Sequence, residues 1–202
     1  MRARLIPSLL LVSVSATAGA QGPKVVTLDS PAPLLQVKVM VKAGSGADPA
    51  GLEGLAHLTG RLVVEGGFGD PKKPVTKEQL AELTRPWGEG AYPSVRVDKE
   101  IATFSMSVPR EALADYVARV LRPLFTEPVF APAELDRVRR ETLEEIRSNL
   151  RFQQIELLGL LALDNDIHTG TAYAPLAQGT VRGLEAVTPE AVRRFYRTWY
   201  RP

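Results

Sequence analysis

Residues 34–67 read LLQVKVMVKAGSGADPAGLEGLAHLTGRLVVEGG, and this stretch decides the fold. In its first part Val37, Val39 and Val41 alternate with residues that include Lys38 and Lys42. This period of two is typical of a half-buried strand. The segment SGADPAG then indicates a turn. From Glu53 to Glu65 the apolar residues recur at helical spacing, and Gly66 and Gly67 predict the end of this helix. The stretch therefore predicts a strand, a tight turn and a helix in direct succession.

The rest of the chain continues with further strands and helices. Thr76 and Gln79 are spaced as a capping box, and Thr188 followed by proline is typical of a helix start. The predicted elements are a helix after Thr76, hairpin strands near 91–97 and 100–108, a helix near 110–124, a long helix from Pro132 that can run to Asp164, and a last helix from Thr188. This order predicts an α/β (α+β) domain of two layers, with helices packed on a mainly antiparallel sheet.

The amino-terminal residues 1–20, MRARLIPSLLLVSVSATAGA, have the pattern of a secretory signal. Two arginines precede an apolar run over 5–14, and the small residues 18–20 predict cleavage after Ala20. The apolar run is too short to span a bilayer, and no later segment offers about 18 uninterrupted apolar residues. We therefore expect a signal peptide over 1–20 and an exported domain over 21–202, periplasmic or secreted and without a membrane segment after cleavage.

Charge and cysteine content exclude several classes of function. The chain has 25 Lys and Arg against 23 Asp and Glu, and both arginines of residues 1–20 would leave with the signal, so the two counts become equal. Without a basic block, nucleic acid or an anionic membrane is not an expected partner. The absence of cysteine excludes disulfides, thiolate metal sites and a cysteine nucleophile.

The predicted helix contains a fragment of a metal-binding pattern. Zinc peptidases place two histidines one helical turn apart so that both imidazoles meet one ion, with a glutamate on the same helix as base. In the inverted pattern H-x-x-E-H, a second glutamate from a distant helix completes the ligands. Here the same frame reads His57-Leu58-Thr59-Gly60-Arg61. One ligand position is retained, whereas the base and the second histidine are replaced.

Three blocks of sequence carry a resemblance to a known family. They are VKAGSGADPAGLEGLAH (41–57), FTEPVFAPAELDRVRRETLEEI (125–146) and YAPLAQGTVRGLEAVTPEAVRRFYRTWYRP (173–202). In this order they resemble the pitrilysin/insulinase metallopeptidases, in particular the bacterial branch related to processing peptidases. The resemblance implies that His57 matches the first histidine, Gly60 the catalytic glutamate, Arg61 the second histidine and Glu145 the distant glutamate ligand.

These replacements affect the catalytic and metal-binding functions that the resemblance would otherwise imply. Without a carboxylate at Gly60, no group on this helix takes the proton from a metal-bound water. A permanently charged guanidinium at Arg61 repels a divalent cation. We therefore expect no catalytic residue and no zinc, although active family members hold zinc. The resemblance implies a non-catalytic subunit that forms a heterodimer with a zinc-bearing family member and helps to enclose peptides.

A peptide-binding edge is the second site that the resemblance implies. The family's substrate-pairing strand corresponds to Gly90, Ala91 and Tyr92, and Pro93 follows. Because proline has no N–H, Pro93 could remove one backbone bond to a bound peptide. Proline is also a usual guard of an exposed edge strand, and the sequence leaves both interpretations open.

Other interpretations of the same residues remain open at this stage. His57 is also explained as a buried, hydrogen-bonded histidine, and Arg61 as a cation that pairs with Glu145 in place of a metal. An active peptidase with a rebuilt site of Glu53, His57 and Glu145 is one rival function, and a free-standing binding domain is another. Family members continue beyond the residues that match 200–202 into a further strand and a second domain. We accordingly expect 21–202 to be an amino-terminal domain whose second domain is absent.

Overall fold

The computed structural model describes residues 8–14, 23–148 and 155–200. Its strands are β1 Ser8–Val14, β2 Lys24–Asp29, β3 Leu34–Val41, β4 Ser94–Val97 and β5 Ala102–Pro109. Its helices are α1 Leu55–Glu65, α2 Lys77–Thr84, α3 Leu113–Tyr116, α4 Arg122–Thr126, α5 Pro132–Glu144, α6 Ile155–Ile167, α7 Val181–Ala186 and α8 Pro189–Trp199. No helix in these ranges is long and apolar enough to cross a membrane.

The five strands form one sheet in the order β2-β1-β3-β5-β4. Strand β1 runs parallel to β3, and the other neighbouring pairs are antiparallel. The helices lie against the sheet, and the predicted α+β class with a mainly antiparallel sheet is confirmed. Along β3 buried and exposed residues alternate, as the period of two predicts.

Strand β1 comes from the segment that the sequence predicts to be a signal peptide. It lies between β2 and β3, with Leu10 opposite Thr27 of β2 and Val37 of β3. The predicted cleavage site after Ala20 lies outside the described residues, as do residues 1–7. Cleavage and export therefore stay predictions.

The core forms between the sheet and helix α1. Val37 and Val41 of β3 and Phe104 of β5 are at most 1% exposed, as are Leu58 and Leu62 of α1. Each fully buried side chain of this size contributes about 1.5–3 kcal/mol to folding. Helices α5 and α8 pack on α1 from its other sides, which fixes the orientation of the residues that α1 presents.

The turn after β3 is locked to the tip of the β4–β5 hairpin. The backbone N–H groups of Gly44, Ser45 and Gly46 donate to the carbonyls of Glu100, Asp98 and Lys99 over 2.7–2.9 Å. A Cβ at Gly44 would lie 2.3 Å from the backbone nitrogen of Glu100, so a side chain there has no room. Glycine at this position lets the turn approach the hairpin and sets the start of α1.

The predicted elements recur with shifted bounds. The Thr76 capping box is present, and Thr188 caps α8 by accepting from the N–H of Ala191. The helix predicted near 110–124 is a helical run with a π-turn over Val117–Leu121, ahead of Pro123, which has no N–H to donate. The predicted long helix is helical to residue 148 and again in α6, and the stretch between lies outside the described residues. Helix α7 was not predicted.

Candidate functional site

A carboxylate from the preceding turn accepts hydrogen bonds from backbone N–H groups at the start of helix α1. Asp48 accepts from the N–H of Gly54 through Oδ2 and from the N–H of Ala56 through Oδ1, both over 2.7 Å. These bonds satisfy two of the free donors at the helix start, where no adjacent side chain acts as a cap. Burial raises the pKa of Asp48 to about 6, although the two backbone bonds oppose the rise. Asp48 therefore positions the first turn, which carries His57.

His57 lies between two depressions of the surface. Its Nε2 atom is shut off from solvent and has no hydrogen-bond partner among the described residues. Burial and, to a smaller extent, the nearby Arg61 cation lower the pKa of His57 to about 4, against a smaller opposite effect of Glu65. The imidazole is therefore neutral at neutral pH and keeps an unused polar atom. This differs from the interpretation of His57 as a fully hydrogen-bonded core residue.

Arg61 points across the cleft to helix α5. Its guanidinium donates to Glu65 within α1 over 2.8 Å, to Glu141 over 2.6 Å and to the hydroxyl of Thr142 over 3.1 Å. The hypothesis that Arg61 pairs with Glu145 is therefore wrong in its partner. Glu141, one helical turn earlier, is the carboxylate that the guanidinium reaches. The guanidinium therefore joins α1 to α5 through Glu141 and Thr142.

Glu65 is the centre of the ionic cluster. Its Oε2 atom lies 2.8 Å from Nζ of Lys77 and 3.3 Å from Nη1 of Arg137, in addition to the bonds with Arg61. Burial disfavours its charge, but the bonds with Arg61 and Lys77 outweigh it and lower the pKa of Glu65 to about 2. The sequence analysis did not identify Glu65 or Lys77. The spacing of Arg61 and Glu65, four residues apart on one helix, is the signal that could have found the pair.

Glu145 follows helix α5 directly and lies on the same side of the fold as His57. Both line an open cleft together with Arg61, Arg140, Glu141 and Glu144. The Glu145 side chain is exposed and has no hydrogen bond or ion pair with the described residues. Three of the positions that the resemblance implies, His57, Arg61 and Glu145, therefore line one cleft. Arg61 places a positive charge in this cleft.

Gly60 faces the edge strand β4. A Cβ at this position would lie 3.0 Å from Cγ2 of Val97 and 3.3 Å from Cγ2 of Val95. A side chain at position 60 would therefore lie against the two valines at less than the ordinary van der Waals distance.

These residues do not fit a zinc ion. The described residues contain no group of three or more His, Asp or Glu side chains arranged to hold a metal. The rebuilt site of Glu53, His57 and Glu145 is not assembled, because Glu53 accepts from the N–H of Gly51 and from the hydroxyl of Thr180 beside α7. With the Arg61 cation beside His57, a divalent ion would also meet direct repulsion.

The residues predicted as a peptide-binding edge form a turn and not an extended strand. Gly90 and Ala91 belong to a 3-10 turn, and Tyr92 follows it with its N–H directed to the carbonyl of Glu89. Ala91 is buried, and its carbonyl accepts from the hydroxyl of Tyr116 over 2.7 Å. The extended edge begins only at Ser94, after Pro93. Pro93 is buried and precedes β4, so it does not occupy a position in the strand.

The chain thus folds as an α+β domain in which Arg61 joins α1 to α5. A family model described as insulinase (peptidase family M16) matches residues 24–161. Because the match covers more than half of the chain, the protein belongs to this family. No curated protein sequence matches the chain.

Solved structures agree on the fold. The periplasmic protease PqqL from Escherichia coli is 17% identical, with a TM-score of 0.69 over 85% of this chain and 19% of PqqL. A peptidase M16 inactive domain from Pseudomonas fluorescens is 17% identical, with a TM-score of 0.70 over 97% of this chain and 43% of that one. A protease from Helicobacter pylori is 16% identical, with a TM-score of 0.72 over 98% and 44%. The chain thus spans less than half the length of each.

Proposed function

We propose that this chain is a non-catalytic, exported M16 domain that forms one wall of a peptide-binding chamber, together with a zinc-bearing member of the same family. The proposal rests on the surroundings of Gly60 and the contacts of Arg61. Gly60 faces two valines of β4, and the guanidinium of Arg61 bridges α1 and α5. A chain with these residues keeps the frame of a peptidase without its reactive groups.

The chemistry supports the same conclusion. Hydrolysis by a zinc peptidase needs an ion held by at least three protein ligands and a carboxylate that accepts a proton from the bound water. The family's base position is a glycine here, and the second imidazole is replaced by Arg61. The sole candidate ligand pair, His57 and Glu145, lies beside that fixed positive charge. No proton-transfer group at position 60 is available to this chain.

Two further observations support the partner and the location. One solved structure with this fold is described as an inactive M16 domain, and another as a periplasmic protease. The solved structures extend well beyond the part that matches this chain, so the same fold occurs with additional domains beside it. Together with the signal pattern of residues 1–20, these likenesses favour a periplasmic domain that works with a partner.

Zinc content and peptide cleavage of the purified protein test the catalytic part of the proposal. We expect far less than one zinc per chain by elemental analysis and no cleavage of a quenched-fluorescence peptide library. Stoichiometric zinc with cleavage abolished by Glu145→Ala would establish an active enzyme instead. Glu144→Ala is the matched control, because Glu144 lines the same cleft one residue away.

Isolation from the native host tests the partner. Affinity-tagged chain should bring down an M16 protein that retains the H-x-x-E-H pattern. Repeated recovery of the chain alone, with extended peptides still bound by the purified protein, would favour the free-standing binding domain.

A further inference from the structure

The outer edge of strand β4 is open. In the described sheet β4 is the last strand and pairs with β5 alone, so one row of its backbone N–H and C=O groups has no ladder partner there. Beside this edge runs a groove bounded on its far side by Leu161 of α6 and by residues 176–178. An open edge next to a groove is the arrangement that accepts an extended segment as an additional strand.

The two faces of β4 differ in character. Val95 and Val97 point towards α1, as their approach to Gly60 requires. Because side chains alternate along a strand, Ser94 and Arg96 point to the opposite face. Arg96 is exposed and has no hydrogen bond or ion pair with the described residues. Its cationic head is therefore available to a neighbour on the open edge.

No acidic side chain compensates this charge within the three strands β3, β5 and β4. Strands β3, β4 and β5 contain no aspartate or glutamate, and Lys38 of β3 lies on the same face as Arg96. The register places Lys38 opposite Ser105 of β5, and Ser105 opposite Ser94. This face of the sheet therefore presents the positive charges of Arg96 and Lys38 and the hydroxyl groups of the serines. A strand added at the β4 edge would lie next to Arg96 and Ser94.

The groove beside β4 combines apolar and polar side chains. Its apolar lining consists of Val95, Val97, Leu161, Leu176 and Ala177. Its polar lining consists of His57, Arg96, Asp98, Lys99 and Gln178. The Nε2 atom of His57 is buried and unpartnered among the described residues. Side chains of an added strand that point to the Val95 and Val97 side would therefore contact apolar groups, with the long Arg96 side chain at the margin of the groove.

We propose that the β4 edge selects extended peptides in which acidic side chains on the Arg96 face alternate with apolar side chains on the groove face. This selectivity rests on the peptide-binding role proposed above and assigns its substrate class. Charges directly opposite each other on neighbouring strands attract or repel by a few tenths to about 1 kcal/mol, which is about a twofold to fivefold effect on Kd for each sign. Replacing an acid by a lysine opposite Arg96 combines both effects.

Binding of three labelled peptides to the full chain, followed by fluorescence anisotropy, tests the selectivity. The peptides alternate valine with glutamate, with glutamine or with lysine. We expect the glutamate peptide to bind about tenfold more tightly than the lysine peptide, with the glutamine peptide between them. Arg96→Glu should reverse this order. Arg122→Glu makes the same change of net charge at an exposed residue that does not line the groove, and it should leave the order unchanged.

Each result separates the two proposals. Equal binding of all three peptides to the native chain would overturn the selectivity while leaving peptide binding intact. An order that Arg96→Glu does not alter, or that Arg122→Glu alters equally, would overturn the assignment to β4. Failure of every peptide to bind would overturn the peptide-binding function itself. Circular dichroism of each variant confirms that the compared proteins are folded.

Discussion

The guanidinium of Arg61 lies 2.6 Å from the carboxylate of Glu141, Nη2 to Oε2, and this contact joins helix α1 to helix α5. The two residues are 80 positions apart in the chain. The Arg61 side chain is 17% exposed and that of Glu141 is 44% exposed, so the pair is shielded from water mainly on the arginine side. A covalently attached cation thus joins the two helices.

Removing Arg61 should destabilise the protein. Arg61→Ala leaves the partly buried Glu65 and the exposed Glu141 with fewer compensating bonds, and we expect a loss of about 1–3 kcal/mol in the free energy of unfolding, mainly through Glu65. Urea denaturation measures it. Arg85→Ala is the control, since Arg85 and its partner Glu82 are 75% and 63% exposed, and we expect less than about 0.5 kcal/mol. Equal losses in the two variants would contradict the bridging role.

Gly60 should not tolerate even a methyl group well. Gly60→Ala places a Cβ 3.0 Å from Cγ2 of Val97, so the valine side chain has to give way by a few tenths of an ångström, and we expect destabilisation by about 1–2 kcal/mol. Gly159→Ala makes the same change in α6, where no atom lies within 4 Å, and should stabilise by up to about 1 kcal/mol through helix propensity. Thermal unfolding of both variants checks the contrast. Stabilisation by Gly60→Ala would mean that the space beside β4 is open.

Asp48 should make stability depend on pH in a defined direction. Its pKa is about 6 in the folded protein and 3.8 as an ordinary carboxyl, so the folded state binds the proton more tightly. The contribution of Asp48 to stability is therefore greatest below about pH 4 and declines as the pH rises to about 6.

Comparison with Asp48→Asn isolates this contribution from that of other carboxylates. The free energy of unfolding of the native protein, minus that of the variant, should decrease between these two pH values, as measured by urea denaturation across the range. A difference that stays constant with pH would show that the pKa of Asp48 is the same in the folded and unfolded states, which would contradict the prediction.

The hydroxyl of Tyr116 should hold the turn that precedes β4. Tyr116→Phe leaves the buried carbonyl of Ala91 without its donor and should cost about 1–2 kcal/mol. Tyr173→Phe removes a longer, exposed bond of 3.3 Å to Glu100 and should have little effect. Differential scanning calorimetry distinguishes the two outcomes, and similar unfolding temperatures for both variants would contradict the assignment.

Local signals predicted the elements whose determinants are local. The alternation in β3, the helical spacing before Gly66 and the caps at Thr76 and Thr188 act within a few residues, and each of these elements is present. The cap of α1 was missed because Asp48 precedes the first helical residue by a turn that bends back on itself. Helix-capping motifs describe a side chain directly before the first helical residue, so they do not describe this bond.

The candidate site was predicted in position but not in its contacts. The resemblance located His57, Arg61 and Glu145 on one side of the fold. The resemblance did not predict that the guanidinium of Arg61 bonds to Glu141, because this contact depends on the position of α5 along α1. The turn at Gly90 and Ala91 depends on Tyr116, 25 residues away from Ala91, and such a tertiary contact leaves no local pattern.

The central place of β1 in the sheet gives the predicted signal cleavage a structural consequence. In the described sheet β2 pairs with β1 alone, and β1 also covers one edge of β3. Cleavage after Ala20 would remove this seven-residue strand, detach β2 and uncover the β3 edge from Leu34 to Val41. Cleavage would therefore leave a three-stranded sheet, β3-β5-β4, that is open at both edges.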